Sequence, residues 1–239
     1  MKKYCIGIDI GGTHTDGVLI DSQQTIVSSC KVTTTENPAD GVSLLINKIC
    51  SPLNNDFSQI GAVHIGTTHP TNAILEARGL ARVGIIRIAP DELIVAPGAS
   101  WPSHIRSAVA PKHVTIRGGY ECTGKANRIP ARSVIQEAIK ALLDDGVEAI
   151  AIVGVFAPLV ADQEHYIRDI VHDCAPHIPV TCSSDIGGIG FVDRENGTII
   201  NAALSIAITH TLGKIAHHIA DCGIHAPIRI SQNDGTLMD

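Results

Sequence analysis

Aromatic residues are scarce, at 3% of 239 residues with a single Trp. The core therefore has to be built from Ile, Val, Leu and Ala, and base-stacking platforms for nucleic acid are not expected. Charge is sparse and acidic in balance, 18 Lys and Arg against 24 Asp and Glu, for a formal charge of −6. A nucleic-acid groove needs concentrated positive charge, so that partner class is excluded. The seven cysteines are an odd number, and none stand as C-x-x-C. Such a spread suits reduced, mostly buried thiols in a cytoplasm better than a zinc site or a disulfide framework. Twelve histidines include no H-E-x-x-H, and only His217 and His218 adjoin, so the spacing of a His-based metal site is missing. No stretch reads as a signal peptide or approaches a membrane span, so a cytoplasmic location without membrane partners is expected. Also absent are G-x-x-x-x-G-K-[ST], G-x-G-x-x-G after a strand, and G-x-S-x-G.

What remains is a globular balance, 44% apolar and 18% charged, in a chain long enough to bury a core without disulfides. Residues 4–10, 15–20 and 25–32 read as three strands, the first two joined at Gly11-Gly12 as a hairpin. In a dinucleotide fold the glycine turn leads into a helix, so this start departs from one. Asn37-Pro38 opens a helix with Val42, Leu45, Ile46 and Ile49 on one face, followed by a strand at 60–65 and a short helix at 70–77. Residues 80–88 are a further strand, and 90–112, with Pro90, Pro97, Pro102 and Pro111, read as a loop. Ser133 with Gln136 forms a capping box for a helix that Gly146 stops. Val147–Val155 reads as a strand covered on both faces, Asp162 caps a helix to Cys174, and 178–183 is the next strand. Alternation at these spacings predicts parallel βαβ units. A long helix over 193–221 and a strand at 227–231 complete the chain. Asp9-Ile-Gly-Gly12 recurs as Asp185-Ile-Gly-Gly188 in a different setting, and we take the echo as coincidence.

Asp9-Ile-Gly-Gly-Thr-His-Thr-Asp16 carries residue types suited to a polyphosphate. Asp9 can hold Mg²⁺ through water. Gly11 and Gly12 permit positive φ and close approach of backbone N–H groups to phosphate. Thr13 and Thr15 add hydroxyls, and Asp16 orders the turn or the metal's water. A second cluster, Gly66-Thr-Thr-His-Pro-Thr-Asn72, places small polar residues at a helix start, where an anion or plain capping by Thr67 or Thr68 would each be served.

Residues 7–16 resemble the first phosphate loop of the actin, sugar-kinase and heat-shock ATPase superfamily. More narrowly, the chain is similar to the A-type subunits of the hydantoinase/oxoprolinase family. Residues 66–76 resemble that family's G-T-T-x-x-T-N-A-L-L-E stretch, and residues 145–152, 193–203 and 230–238 resemble three further segments in order. The resemblance implies an α/β, ribonuclease H-like ATPase lobe, with a mixed sheet beginning in a β-hairpin and continuing in parallel βαβ units. It implies ATP and Mg²⁺ as cofactors, and hydrolytic opening of a hydantoin or 5-oxoproline type ring after phosphorylation of the amide oxygen. Matched residues would be Gly11, Gly12, Thr13, Thr15 and Asp16 at the phosphates and Asp9 at the metal. Asp9, Thr67 and Thr68 are the catalytic candidates. Gly66, Asn72 and Arg194 would lie on the substrate side, although Arg194 also reads as an exposed arginine at a helix start.

Two positions depart from the pattern. His14 stands where Phe is usual, and His64 with Ile65 stands where His directly precedes Gly-Thr-Thr. On a strand that shift turns the imidazole to the opposite face. The implied domains are an ATPase-type lobe over 1–185 and, over 186–239, a long helix with the start of a second domain that reads as truncated. The family's second phosphate loop would follow Asp239. The chain is thus expected to be a fragment, or a short product whose second lobe or B-type subunit comes from elsewhere, inactive alone. Oligomer formation is left open. A small-molecule kinase of the same superfamily, or a non-catalytic nucleotide-binding subunit, are the alternatives.

Overall fold

The computed structural model describes residues 3–35, 38–54, 56–232 and 236–238. In chain order the elements are β1 (Tyr4–Ile10), β2 (His14–Asp21), β3 (Ile26–Thr33), α1 (Pro38–Ile49), β4 (Ile60–Thr67), α2 (His69–Glu76), β5 (Val83–Ala89) and α3 (Ser103–Val109). They continue with β6 (Lys112–Arg117), α4 (Arg132–Asp144), β7 (Ala149–Gly154), α5 (Asp162–Cys174), β8 (Val180–Cys182), α6 (Phe191–Asp221), β9 (Ile228–Ser231) and β10 (Leu237–Met238). The chain divides into two compact units, one of Met1–Asn72 with Ile208–Asp239, the other of Ala73–Ala207. The break falls inside α2 and α6, so it follows packing and differs from the boundary after residue 185 expected from sequence.

The first unit is a mixed six-stranded sheet in the order β10-β9-β4-β1-β2-β3. β1–β2 and β2–β3 are antiparallel, while β1–β4 and β4–β9 are parallel. Alternation sends Ile6, Ile8 and Ile10 of β1 and Val63 and Ile65 of β4 to one face. There they meet Val42, Leu45, Ile46 and Ile49 of α1, with Ile215 and Ile219 of α6. Gly17 is what lets α1 approach, because a Cβ there would stand 2.5 Å from Leu45 Cδ2. The opposite face carries Gly7, Asp9, Asp16, His64 and Gly66.

The second unit is a parallel sheet in the order β6-β5-β7-β8. β5 and β7 are buried along their whole length, as strands covered on both faces must be. Ile86, Ile88, Ile150 and Ile152 pack on Ile135, Ile139 and Leu142 of α4 and on Ile167 and Ile170 of α5. Val83, Ile85, Ala149, Ala151 and Val153 pack the other way, on Val109 of α3 and on Ile199, Ala202 and Ala203 of α6.

Several expectations need correction. The stretch 90–112 contains α3 and reaches the first residue of β6, and β6 itself has no counterpart in the sequence reading. β6 is the edge strand of its sheet, so only Ile116 is buried and no continuous apolar run marks it. Ser133 is not a cap: α4 starts at Arg132 after Ala131, with no side-chain cap. Asp162 is likewise the first residue of α5, after an uncapped Ala161. Asn37 lies outside the described residues. The thiols are free, but only Cys50 and Cys182 are buried, whereas Cys122 and Cys174 are exposed. Burial raises the Cys50 thiol to about 11, with a smaller contribution from Cys222, and raises Cys182 to about 12, with Glu164 adding to it. Among the described residues one helix, α6, is long and apolar enough to cross a membrane, with 31 residues and a mean hydropathy of 1.3 over its most apolar window. Its Ile199, Ala202 and Ala203 serve the core of the second unit and its Ile215 and Ile219 that of the first.

Candidate functional site

The turn after β1 carries the first of the two small-residue clusters singled out from sequence. Ile10 pairs with Thr15 and Asp9 with Asp16, so the hairpin closes across Gly11-Gly12-Thr13. Gly11 N–H donates to the His14 carbonyl at 3.0 Å, and a Cβ on Gly11 would stand 3.0 Å from that oxygen. Neither Gly11 nor Gly12 has positive φ. Their use is close approach, which corrects the conformational reading. Gly12, Thr13 and His14 are exposed, with His14 Nδ1 3.2 Å from Thr13 Oγ1.

Thr15 departs from its expected place. Its side chain is fully buried, and its hydroxyl lies 3.0 Å from Thr34 Oγ1, so it points into the fold and not toward a turn-bound anion. Thr34 was missed by sequence reasoning, yet it pins the turn. Its N–H donates to the Thr13 carbonyl at 2.9 Å and its hydroxyl to the Gly11 carbonyl at 2.9 Å. The run Thr33-Thr34-Thr35 at the end of β3 was the available signal.

The parallel pairing of β1 with β4 sets Asp9 beside Gly66 and Gly7 beside His64. A Cβ at Gly66 would stand 3.3 Å from Asp9 Oδ1, and one at Gly12 would stand 3.4 Å from Asn72 Nδ2. Asp9, Gly12, Gly66 and Asn72 therefore gather around the end of β1. Gly7, Asp9, Asp16, His64, Gly66 and Ser231 are among the residues lining an open cavity of about 400 Å³. His64 was read as turned to the far face. That face is the one carrying Asp9, while Ile65 is buried opposite. His64 Nε2 is buried without a partner among the described residues, and Nδ1 lies 3.9 Å from Cys5 Sγ.

Thr67 and Thr68 are used by the backbone. The Thr67 hydroxyl donates to the Ile10 carbonyl at 3.3 Å and accepts the His69 N–H at 3.1 Å, a local turn bond just ahead of α2. Thr68 N–H also donates to the Ile10 carbonyl, at 3.3 Å, and its side chain is exposed. With Pro70 lacking an N–H, the first turn of α2 has few free donors for an anion. The exposed backbone of Gly12 and Thr13 is the better candidate.

No group of three or more His, Cys, Asp or Glu able to hold a metal occurs among the described residues. Asp16 is paired with Lys31 at 3.2 Å, leaving Asp9 as an exposed carboxylate. That donor set does not fit an all-protein metal cage. It fits Mg²⁺ held by one carboxylate, water and phosphate oxygens.

Arg194 belongs to the second unit, and both readings of it need correction. It is 3% exposed. Its Nε donates to Ser183 Oγ, its Nη1 to the Gly188 and Ile189 carbonyls, and its Nη2 to the Gly154 carbonyl at 2.6 Å. Ser183 Oγ in turn donates to Glu164 at 2.6 Å, and Glu164 also receives the Gly154 and Ser184 N–H groups. Burial lowers the Arg194 guanidinium from its usual range, opposed by Glu164 and Glu195. The residue is a buried tie between strand ends and the start of α6.

Residues 5–174 match the family described as the hydantoinase/oxoprolinase N-terminal region. The chain belongs to this family. Among curated relatives, it is 27% identical over 255 residues to the caprolactamase subunit alpha of Pseudomonas jessenii, covering 99% of this chain and 36% of the relative. It is 21% identical over 267 residues to the acetophenone carboxylase gamma subunit of Aromatoleum aromaticum, covering 98% and 35%. The chain thus spans little more than a third of the length of these relatives. Nucleotide-free acetone carboxylase superposes with a TM-score of 0.77 at 18% identity, over 100% of this chain and 37% of that one. The ATP-dependent caprolactamase of Pseudomonas jessenii superposes with a TM-score of 0.74 at 23% identity, over 98% and 36%. These likenesses establish the fold, the α/β lobe with a hairpin-led mixed sheet and a parallel sheet described above.

Proposed function

We propose that this chain is the nucleotide-binding N-terminal part of an ATP-dependent enzyme that hydrolyses a cyclic amide. The carrying observation is the end of β1, where the Asp9 carboxylate lies against Gly66 beside the exposed backbone of Gly12 and Thr13. Membership of the hydantoinase/oxoprolinase family supports this reading. Bound MgATP would supply a phosphoryl group to the amide oxygen, so that water opens the ring as phosphate leaves.

This chain's residues would hold and orient. Asp9 and Asp16 are neighbours across the hairpin, and like charges repel a triphosphate unless a cation intervenes. Lys31 neutralises Asp16, which leaves Asp9 to take the hydrated Mg²⁺. Gly12 and Thr13 would offer N–H donors to phosphate oxygens, and Asn72, against Gly12, an amide to the same region. Thr34 keeps the turn from yielding. A second lobe, from chain beyond these residues or from a B-type subunit, would complete the nucleotide site.

Asp9→Asn in the assembled enzyme tests the reading. It removes the charge while preserving shape, and an activity loss of roughly 10²-fold or more is expected, together with loss of the Mg²⁺ dependence of ATP binding by calorimetry. Unchanged turnover would leave a nucleotide-binding subunit without catalytic duty. ATP-dependent carboxylation is the second reading, favoured by the relative named acetophenone carboxylase gamma subunit. Product analysis separates the readings, since carboxylation consumes bicarbonate or CO₂ and a kinase would leave a phosphate ester.

A further inference from the structure

Four exposed aliphatic side chains of the second unit meet around one concavity. Ile94 and Val95 come from the segment after β5, Ile189 from the approach to α6 and Val192 from its first turn. Ile94 is 102% exposed and Ile189 78%. All four line a cavity of about 340 Å³, together with the partly buried rings of Phe156 and Phe191. Single apolar residues on a surface are ordinary, whereas a contiguous apolar concavity marks an interaction site.

Buried structure holds these side chains out. Arg87 is gripped by both carboxylate oxygens of Glu195, at 2.6 and 2.7 Å, and its Nη2 also donates to the Val95 carbonyl at 2.8 Å. Arg194, tied to Ser183 and Gly154, donates through Nη1 to the Gly188 and Ile189 carbonyls at 2.9 and 3.0 Å. Each rim segment is thus fixed through its backbone by one buried guanidinium. Gly187 and Gly188 have open space where a Cβ would stand, so packing alone would not hold Ile189 in place. Apolar groups fixed before binding lose less entropy when a partner covers them.

The charges of the rim decide the partner. Segments 90–102 and 184–193 carry Asp91, Glu92, Asp185 and Asp193, all exposed, and no Lys or Arg. Against these four stand His113, 3.6 Å from Glu92, and Arg117, beside Ala89 at the end of β6. The excess is acidic. A second copy of the chain would bring a net charge of −6 to that rim, and an anionic lipid surface would be repelled as well. A protein helix with an apolar stripe flanked by Lys and Arg matches both the concavity and its charge. We propose that this face docks such an amphipathic helix of a partner polypeptide, its aliphatic anchors seated among Ile94, Ile189 and Val192. No residue of the glycine-threonine turn takes part, so the inference stands apart from the nucleotide reading.

Titration of the 239-residue chain by amide-resolved NMR tests it with three alanine-based helical peptides. The first carries leucines at i, i+4 and i+7 with lysines beside them, the second has glutamates for the lysines, and the third has alanines for the leucines. The first is expected to give saturable shifts at residues 90–95 and 186–193, and the other two to bind roughly tenfold more weakly or worse. Ile94→Asp with Ile189→Asp, both at exposed positions, should weaken the first peptide by about tenfold or more with Tm unchanged. Asp91→Lys with Asp185→Lys should transfer the preference to the glutamate peptide; if that pair does not fold, the isoleucine pair decides. Equal binding of the lysine and glutamate peptides, undiminished binding by the isoleucine pair, or shifts confined to other surfaces would overturn the proposal. So would a lysine preference that survives the charge reversal. Sedimentation without peptide is expected to show no dimer at this face; a dimer dissociated by the isoleucine pair would assign the face to a second copy and overturn the proposal.

Discussion

Arg194 illustrates how a residue type misleads when its surroundings are hidden. An arginine at a helix start reads either as an anion receptor or as a solvated charge, yet here it is spent on three carbonyls and a serine. Removing it would leave Glu164 buried with no nearby cation across Ser183, along with three carbonyls stripped of a donor. Arg194→Ala is therefore expected to lower stability by about 3 kcal/mol or more, read as a shift of the urea midpoint, and Arg194→Lys should recover little of it. A surface arginine would shift the midpoint negligibly. Thr15 and Thr67 teach the same lesson from the polar side, because their hydroxyls serve Thr34 and the backbone. Asp9, Gly12, Gly66 and Asn72 were legible as a group, since each lies beside the strand end or turn that the motif itself defines. Thr34 and His64 were not, because their places depend on which strands pair and which face β4 turns outward.

Among elements, the legible ones were those whose pattern comes from burial on a regular period. β7 reads as a continuous apolar run, and α1 and α4 as apolar stripes, because a covered strand and a half-covered helix impose those patterns. β6 lies at an edge and is half solvated, so its residues carry too weak an alternation. Helix starts were also misplaced. α4 and α5 begin without a side-chain cap, so a Ser or Asp nearby was not informative. The end of α3 offers a test. Ala110 closes it at φ +42° while its N–H donates to the Arg106 carbonyl, a left-handed position that suits glycine. Ala110→Gly is expected to raise stability by about 1 kcal/mol, seen as a higher Tm. A fall in Tm would mean that the Ala110 methyl packs usefully.

In the whole molecule, α6 joins chemistry that its sequence does not separate. Its apolar residues serve two cores in turn, so no single stripe runs its length, and by length and hydropathy it resembles a membrane span. Each unit carries its own sheet, and they differ in protection. β5 and β7 are buried throughout, whereas β3 is exposed at most of its positions and β10 at both. Hydrogen exchange should therefore leave the amides of β5 and β7 protected longest and those of β3 and β10 shortest. Faster exchange in β5 than in β3 would show that the second sheet opens locally.

The scarcity of aromatic residues and the runs of Ile, Val and Ala determined from sequence alone that the core would be aliphatic and that strands and helices would alternate. The ordered glycines and threonines near the N-terminus determined the family resemblance, since close backbone approach leaves a local signature. Tertiary structure decided which face each strand presents, that Thr15 and Thr67 turn their hydroxyls to Thr34 and the backbone, and that Arg87 is gripped by Glu195. Those outcomes depend on pairing between residues far apart in the chain. Arg87 and Glu195 meet 108 positions apart, and no local pattern marks such a meeting.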